Sequence, residues 1–258
     1  MNPEHTNGWV RTQQDGVVLT VTLDRPDQLN AQTPTTWSTL AQIGASLDDD
    51  VRVVVVRGAG RSFSAGLDRS LFSAEPGVEG GLGDMGRRPT AEADELIRGF
   101  QAGFRWLRQP GIVSVAAVQG HALGAGCQLA LACDLRILAD DAQLRLPEAT
   151  LGLVPDLTGT SNLVHLVGYA RALEICLTGR AVHAAEAHAI GLANLVVPAA
   201  ELDAAVADLV AALTAVPVGA SRATAELVRS AVRNDPAEQD AAERAAQIVR
   251  LQELVAGS

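Results

Sequence analysis

Two short apolar runs dominate the hydrophobic pattern of this chain, and glycine follows each of them. Residues 51–57 (VRVVVVR) and 112–118 (IVSVAAV) are rich in β-branched side chains, and charges occur only at the ends of the first run. Such runs are typical of buried strands. Glycine turns the chain after each run because it adopts backbone conformations that other residues avoid. The glycines are Gly58 and Gly60 after the first run, and Gly120, Gly124 and Gly126 after the second.

The remaining pattern predicts alternating strands and helices, and its character changes after Pro198. Further strands are predicted at 17–23, 135–139 and 143–146. Helices are predicted at 36–47, 91–108 and 127–133, and three alanine-rich helices at 200–213, 218–233 and 236–254. Glycine, proline and charged residues make 73–90 a predicted mobile loop. The predicted fold class is α/β with a helical C-terminal region.

Two segments place small residues where a backbone N–H can face a ligand. Residues 61–68 (RSFSAGLD) and 118–134 (VQGHALGAGCQLALACD) each come at or after the end of a predicted strand. Two N–H groups aimed at one point form an oxyanion hole, which stabilises an enolate or a tetrahedral intermediate. A helix start in the second segment adds partial positive charge. Either segment alone is more simply a tight turn, but together they predict a catalytic site.

These two segments resemble the signature loops of the enoyl-CoA hydratase/isomerase (crotonase) family. Three further segments agree with the family, in the family's order along the chain. They are 23–31 (LDRPDQLNA), 146–155 (LPEATLGLVP) and the stretch 177–198. The similarity extends from about Val17 to the C-terminus, and five motifs in order are far more specific than one loop.

The resemblance implies a spiral core of repeated strand–strand–helix turns at residues 1–198, which holds an acyl-CoA site. It also implies a helical region at 199–258 that builds a homotrimer, often paired as a hexamer. The alternative is that these helices only cover their own core. No cofactor is implied, because CoA is part of the substrate.

The resemblance further implies which residues form the site. Backbone N–H groups of Ala65 and Ala125 are the expected oxyanion-hole donors. The expected substrate-binding residues are Arg25, Leu29, Ala65, Gly66, Leu67, Asp68, Ala125 and Gln128. The side chain of Asp68 is more simply a residue that fixes its turn.

The residues that transfer protons decide which reaction of the family follows. Hydratases of the family use two glutamates, and here the corresponding positions hold Gln128 and Glu148. A glutamine can bind water but cannot titrate, so hydration is disfavoured without being excluded. Asp156 offers another carboxylate, at a position where an acid resembles the base of several isomerases. Its alternative role is to cap a helix that begins near Thr158.

We therefore expect an enzyme that isomerises enoyl-CoA double bonds, with Glu148, Asp156 or both moving protons. Hydration of a 2-enoyl-CoA is the second candidate, and hydrolysis of an acyl-CoA thioester is the third. A catalytically silent acyl-CoA-binding protein is a further alternative, which Gln128 motivates.

The composition limits which classes of molecule this protein is expected to bind. The formal net charge is −10, and all 20 basic residues are arginines, which argues against nucleic acid or an anionic membrane and excludes chemistry on a lysine. An anionic CoA thioester then needs a local basic patch, for which Arg25 and Arg69 are candidates. Residues 111–133 lack charge, but glycines and polar residues argue against a membrane span. The histidines have no spacing typical of metal ligands. The three cysteines are an odd number in apolar segments, and no signal-peptide pattern is present, so we expect free thiols in the reducing environment of the cytoplasm.

Overall fold

A seven-stranded sheet forms the centre of the computed structural model, which describes residues 4–5, 9–73, 78 and 80–256. The strands are β1 (Glu4–His5), β2 (Val10–Asp15), β3 (Val18–Leu23), β4 (Val53–Gly58), β5 (Val113–Val118), β6 (His121–Leu123), β7 (Leu135–Ala139), β8 (Gln143–Arg145), β9 (Val182–His183) and β10 (Leu195–Val197). The order in the large sheet is β1-β2-β3-β4-β5-β7-β10. Strands β3, β4, β5, β7 and β10 run parallel, and β1 and β2 add an antiparallel edge.

Both faces of the large sheet are covered, as the apolar run at 51–57 predicts. Val54 and Val56 of β4 pack into the larger core. Val53 and Val55 point to the opposite face, where a smaller core includes Leu202. Successive side chains of a strand alternate between faces, so a strand buried on both sides must be apolar throughout.

The helices surround this sheet. They are α1 (Pro34–Ala45), α2 (Leu82–Met85), α3 (Thr90–Arg105), α4 (Ala125–Ala132), α5 (Gly159–Val167), α6 (Tyr169–Thr178), α7 (Ala184–Ala189), α8 (Leu202–Ala215), α9 (Val218–Ser230) and α10 (Pro236–Ala256). Short 3-10 helices lie at Pro26–Gln28, Arg69–Phe72, Trp106–Arg108, Glu148–Leu151 and Ala199–Glu201. The sheet and most of these helices agree with the sequence-based prediction in type and order.

The predicted strand–strand–helix repeat is present. Strands β5 and β6 precede α4, and β7 and β8 precede α5. The first strand of each pair joins the large sheet, whereas the second joins a three-stranded sheet of order β6-β8-β9. The chain therefore passes from the large sheet to the small sheet in each repeat. The structure confirms the mixed α/β class with a parallel sheet.

The loop predicted at 73–90 is more structured than its composition suggests. Residues 74–77 and 79 lie outside the described residues. The described remainder contains α2 and reaches the first residue of α3 at Thr90. Strand β2 is also a structural finding rather than a prediction, since its sequence VRTQQD is mostly polar and pairs with β3 through backbone hydrogen bonds.

The three C-terminal helices differ from one another in burial. Helix α8 buries Leu202 and Val206 against the sheet, whereas no residue of α9 or α10 is buried. No single helix in the described part of the chain is long and apolar enough to cross a bilayer. One bent pair, Ala199–Ala215 with Val218–Ser230, reaches that length and composition together, at an angle of 107°.

Candidate active site

A buried asparagine holds the first loop of the site in place through hydrogen bonds to its backbone. Asn30 is 1% exposed and adopts a left-handed backbone conformation with φ 55°. Its Nδ2 donates to the carbonyl oxygens of Ala59 and Ser62, each at 2.8 Å, and its Oδ1 accepts from the backbone N–H of Arg25. A buried amide with every one of these bonds made fixes the loops on both sides of it.

Ser64 extends this buried network. Its hydroxyl donates to the carbonyl of Asn30 at 2.8 Å and accepts from the Nε2 of Gln32 at 3.0 Å. The Oε1 of Gln32 in turn accepts from the indole N–H of Trp37, at 2.8 Å. These side chains form no recognisable catalytic pattern in the sequence, because only the fold brings them together.

The backbones of the two loops join directly. Ser64 donates its N–H to the carbonyl of His121 at 2.8 Å and accepts from the N–H of Leu123 at 3.0 Å. A Cβ on Gly126 would lie 2.6 Å from the carbonyl oxygen of Ser64, and one on Gly66 would overlap that of Leu123. Glycine is therefore required at both positions by close backbone approach, which the spacing alone only suggested.

The hydrogen bonds of the first loop correct one expected donor. The N–H of Ala65 donates to the carbonyl of Leu29 at 2.8 Å, so it is not free for a ligand. Gly66 donates to the hydroxyl of Ser64, and Asp68 donates to the carbonyl of Gln32. Among the described residues, the N–H of Leu67 has no acceptor. The structure therefore contradicts the expected role of the Ala65 N–H, because the carbonyl of Leu29 accepts from it, and it leaves the N–H of Leu67 as the candidate donor of this loop.

The second loop supplies a matching N–H. Ala125 is the first residue of α4, where a backbone N–H has no partner within its own helix. No acceptor for it is found in the described part of the chain. A Cβ built on Gly66, next to Leu67, would lie 3.4 Å from this nitrogen. The N–H groups of Leu67 and Ala125 therefore lie at the contact between the loops.

Gln128 lies on the next turn of α4 and is 1% exposed. Its Oε1 accepts from the backbone N–H groups of Leu157 at 2.8 Å and Gly159 at 3.2 Å. Its Nε2 donates to the Oε1 of Glu148 at 2.9 Å. Both ends of the amide are thus occupied, and the side chain connects the acid of one loop to the backbone of another.

Glu148 is the buried acid of the site, at 8% exposure. Its Oε1 lies 3.5 Å from the position that a Cβ on Gly124 would occupy, directly before Ala125. Its Oε2 is buried and has no hydrogen-bond partner. Burial raises the pKa of this carboxyl, the hydrogen bond from Gln128 lowers it, and the charge of Asp156 raises it. An unpartnered oxygen with a raised pKa is suited to accept and return a proton.

Asp156 lies at the edge of the same region. Burial raises the pKa of its carboxyl. The amide of Gln101 on α3 holds the backbone carbonyl of Asp156 at 2.7 Å. The N-cap of α5 is Thr158, with φ 69° and no side-chain cap, and no bond from the Asp156 carboxylate to the start of α5 is found among the described residues. The capping role considered for Asp156 therefore has no support, and its carboxylate borders the region of Glu148.

The two candidate basic residues differ. Arg25 forms an ion pair with Asp68, and its guanidinium also lies over the ring of Trp9, 4.3 Å from the centroid. Asp68 in addition accepts from the backbone and hydroxyl of Ser70, and so caps the 3-10 helix Arg69–Phe72. Arg69 is exposed on that helix. Arg25 thus stabilises the loop, and Arg69 is the more accessible cation.

The remaining polar candidates have no catalytic geometry. His121 is partly buried, with an unpartnered Nδ1, and its carbonyl holds the first loop. No group of three or more His, Cys, Asp or Glu side chains that could hold a metal ion is found within the described residues.

Known proteins resemble this chain along most of its length. The family described as enoyl-CoA hydratase/isomerase matches residues 13–253. A probable enoyl-CoA hydratase of Mycobacterium bovis is 34% identical over 195 residues, which make up 75% of this chain and 70% of that protein. A crystal structure of a candidate enoyl-CoA hydratase from Thermobifida fusca in complex with CoA is 53% identical, with a TM-score of 0.90, and covers 96% of this chain and 95% of its own.

A second structure from Thermobifida fusca, in complex with acetoacetyl-CoA, is 52% identical with a TM-score of 0.89 and covers 95% of this chain and 96% of its own. The fold, the joined loops and these matches agree. The chain is an acyl-CoA-processing enzyme and belongs to the enoyl-CoA hydratase/isomerase (crotonase) family.

Proposed function

We propose that this enzyme moves the double bond of an enoyl-CoA through an enolate. The thioester oxygen binds between the N–H groups of Leu67 and Ala125, and Glu148 transfers the proton. The observation that carries the proposal is the difference in hydrogen bonding between the side chains of Gln128 and Glu148. Gln128 has both ends of its amide occupied, whereas Glu148 has one free oxygen.

The proposed reaction needs a single base. The Oε2 of Glu148 takes a proton from the carbon next to the thioester of a 3-enoyl-CoA, and the electron pair delocalises onto the thioester oxygen. Negative charge then rests against Leu67 and Ala125, each a preorganised donor. The protonated Glu148 returns the proton two carbons away, which gives the 2-enoyl-CoA. No water is consumed and no other atom is gained or lost.

Several features support Glu148 as this base. Its raised pKa makes the carboxylate a stronger base than an ordinary glutamate. The nearby carboxyl of Asp156 favours the protonated form of Glu148. Asp156 therefore assists the return step, and it is the second candidate for direct proton transfer.

Hydration of a 2-enoyl-CoA is the second candidate function. The relatives described above carry the name enoyl-CoA hydratase, which favours it. In this chain Gln128 can donate to a water molecule only as a neutral amide, so Glu148 would have to act as both base and acid, or Asp156 would have to supply the second acid. Either requirement lowers the expected rate of hydration relative to isomerisation.

The proposed assembly is a homotrimer or a pair of trimers. Helices α9 and α10 bury no residue, yet they expose apolar side chains such as Val228, Ile248 and Leu254 at 66%, 54% and 71%. Apolar area of this kind on a soluble protein commonly marks an interface. Light scattering measures the assembly directly, and a monomer at micromolar concentration would contradict it.

Incubation with paired 2-enoyl-CoA and 3-enoyl-CoA substrates in heavy-oxygen water tests the reaction, with products identified by mass spectrometry. We expect interconversion of the two isomers without uptake of heavy oxygen. Heavy oxygen in a 3-hydroxyacyl-CoA would instead establish hydration, and free CoA would establish hydrolysis. Tight binding of every thioester without turnover would leave the catalytically silent binding protein.

A further inference from the structure

Helix α4 is buried at both ends, and its two ends have different partners. All of its residues from Ala125 to Ala132 are buried. The N-terminal end supplies the N–H of Ala125. At the C-terminal end, the carbonyl groups that lack a partner within the helix would face the protein interior, where an unpaired carbonyl is costly.

Arg136 meets these carbonyls from inside the protein. It is 1% exposed, and its guanidinium donates to the carbonyl oxygens of Cys133 at 2.8 Å, Leu192 at 2.7 Å, Asp134 at 3.3 Å and Ala130 at 3.5 Å. Within the described residues it forms no ion pair with a carboxylate. A buried guanidinium held only by carbonyl oxygens is unusual, because an unpaired buried charge carries a large desolvation cost.

Arg108 also binds this end of α4. It donates to the carbonyl oxygens of Leu131 at 2.8 Å and Cys133 at 3.0 Å. The side-chain oxygen of Asn162 on α5 accepts a further bond, at 2.7 Å. Two guanidinium groups therefore bind the carboxyl end of the helix whose other end carries an oxyanion donor.

Positive charge is in excess around this end of α4. The neighbouring carboxylate, Asp134, is already bound by Arg229 at 3.0 Å and by Ser114. Burial raises the pKa of the Cys133 thiol to about 12 and also raises that of Cys127, so both thiols are neutral near neutral pH. Burial lowers the pKa of Arg136 to about 10, which leaves it protonated there. Among the described residues, three guanidinium groups, those of Arg108, Arg136 and Arg229, thus lie near one carboxylate.

We propose that Arg136, assisted by Arg108, is a positioning and electrostatic residue for the oxyanion hole, acting through α4. Arg136 holds the carboxyl end of the helix, and its buried positive charge lies at the opposite end of the helix from the Ala125 N–H. The proposal rests on the proposed enolate chemistry and extends it to a residue that does not touch the substrate.

The expected size of the effect follows from the length of the helix. Eight residues span about 12 Å, so the guanidinium lies roughly 12 to 15 Å from the oxyanion. At an effective dielectric constant of about 20, removal of one unit charge at that distance changes an ionisation equilibrium roughly five- to tenfold.

Acetoacetyl-CoA is a suitable probe, because its bound enolate is visible in the ultraviolet and reports the oxyanion hole without turnover. The enolate fraction at saturating protein is titrated with pH for the wild type, Arg136→Gln, Arg136→Lys and Arg180→Gln. Arg180 is the matched control, since it loses the same charge from an exposed ion pair with Glu174 and Glu186. Thermal unfolding and CoA affinity are measured for each variant.

We expect Arg136→Gln to lower the ratio of bound enolate to bound neutral acetoacetyl-CoA about five- to tenfold at fixed pH, with CoA affinity unchanged. Arg136→Lys, which keeps the charge but loses most of the carbonyl contacts, retains the enolate although its melting temperature falls. Arg180→Gln leaves the ratio unchanged. If Arg136→Gln does not fold, a comparison of Arg108→Gln with Arg108→Lys tests the same effect of charge at the less buried of the two arginines.

Equal enolate ratios for wild type and Arg136→Gln would overturn this inference and leave the proposed function intact. Equal losses in the Gln and Lys variants would also overturn it, because packing rather than charge would then explain the effect. A wild-type protein that binds acetoacetyl-CoA without favouring its enolate would refute the proposed function, and this inference with it.

Discussion

The two sides of this active site are built from different materials. The proposed oxyanion side consists of the backbone N–H groups of Leu67 and Ala125, whereas the proposed proton-transfer side consists of the side chains of Gln128, Glu148 and Asp156. The first side is held by a buried network around Asn30 and Ser64, with most hydrogen bonds to backbone atoms. The second side has one unpartnered buried oxygen, on Glu148.

This difference separates what a site must do for any acyl-CoA from what it does for one reaction. A backbone donor needs only a loop of the right shape, so small residues and close contacts are sufficient. Proton transfer needs a titratable group at a defined position, so one change such as glutamate to glutamine alters the chemistry while the fold remains. Substitutions on the two sides should therefore fail in distinguishable ways.

The largest effect is expected from Glu148→Gln on the proton-transfer side. Loss of the titratable group should lower kcat by roughly 10²- to 10⁴-fold while acyl-CoA affinity is retained. Steady-state kinetics and calorimetric titration with a saturated acyl-CoA measure the two quantities. Glu174→Gln, on an exposed acid, is the control. Full activity of the Glu148→Gln enzyme would show that Glu148 is not the base and would leave Asp156 as the candidate for proton transfer.

Gly66→Ala should damage the oxyanion side. The new Cβ overlaps the Leu123 carbonyl, so the two loops must separate and misplace one donor, which typically costs about 10²- to 10³-fold in kcat. Gly16→Ala is the matched control, because Gly16 also has positive φ, 53° against 83°, but nothing lies within 4 Å of its Cβ. Similar kinetic losses in both variants would show that backbone strain, not loop contact, is responsible.

Gln128→Glu tests the reaction itself. A second carboxylate would replace the amide that lies 2.9 Å from Glu148, and two acids at that distance cannot both be charged near neutral pH. The pH–rate profile should shift upward, and incorporation of heavy oxygen into a 3-hydroxyacyl-CoA should rise at least several-fold. Gln13→Glu, on an exposed strand residue, is the control. An unchanged ratio of isomerisation to hydration would mean that Gln128 does not set the outcome.

Burial of Glu148 predicts a smaller effect, on stability. Because its pKa is raised in the folded state, folding favours the protonated acid. Its contribution to the free energy of unfolding is therefore present at low pH and is lost as pH rises above the ordinary value of 4.5. Denaturant unfolding of Glu148→Gln should show a stability difference from wild type that grows in favour of the variant as the pH rises above 4.5. A difference independent of pH would contradict the raised pKa.

The smallest effect is expected from Arg25→Met. The ion pair with Asp68 is partly exposed, so its loss should lower the free energy of unfolding by about 1 kcal/mol or less, with little change in KM. Arg69→Gln, by contrast, should raise KM a few-fold if Arg69 meets the CoA phosphates. A larger rise in KM for Arg25→Met than for Arg69→Gln would reverse these assignments.

Much of the fold follows from local sequence. The run at 51–57 must be a buried strand because it is apolar on both faces, and the glycines after it mark the turn. Glu148 also stands out in the sequence, since an acid after Pro147 in an apolar segment has few structural roles. Strand β2 could not be predicted, because its polar residues form a strand only through the backbone bonds that β3 offers.

The sequence by itself determined the family, the central parallel strands, the pair of small-residue loops and the presence of Glu148 with Gln128. The tertiary structure decided which N–H groups are free and how Gln128 and Arg136 are used. The sequence predicts Ala65 as the donor of the first loop, but the carbonyl that accepts from its N–H belongs to Leu29, far along the chain. A hydrogen-bond donor is available only when no distant acceptor reaches it, and long-range packing alone sets that condition.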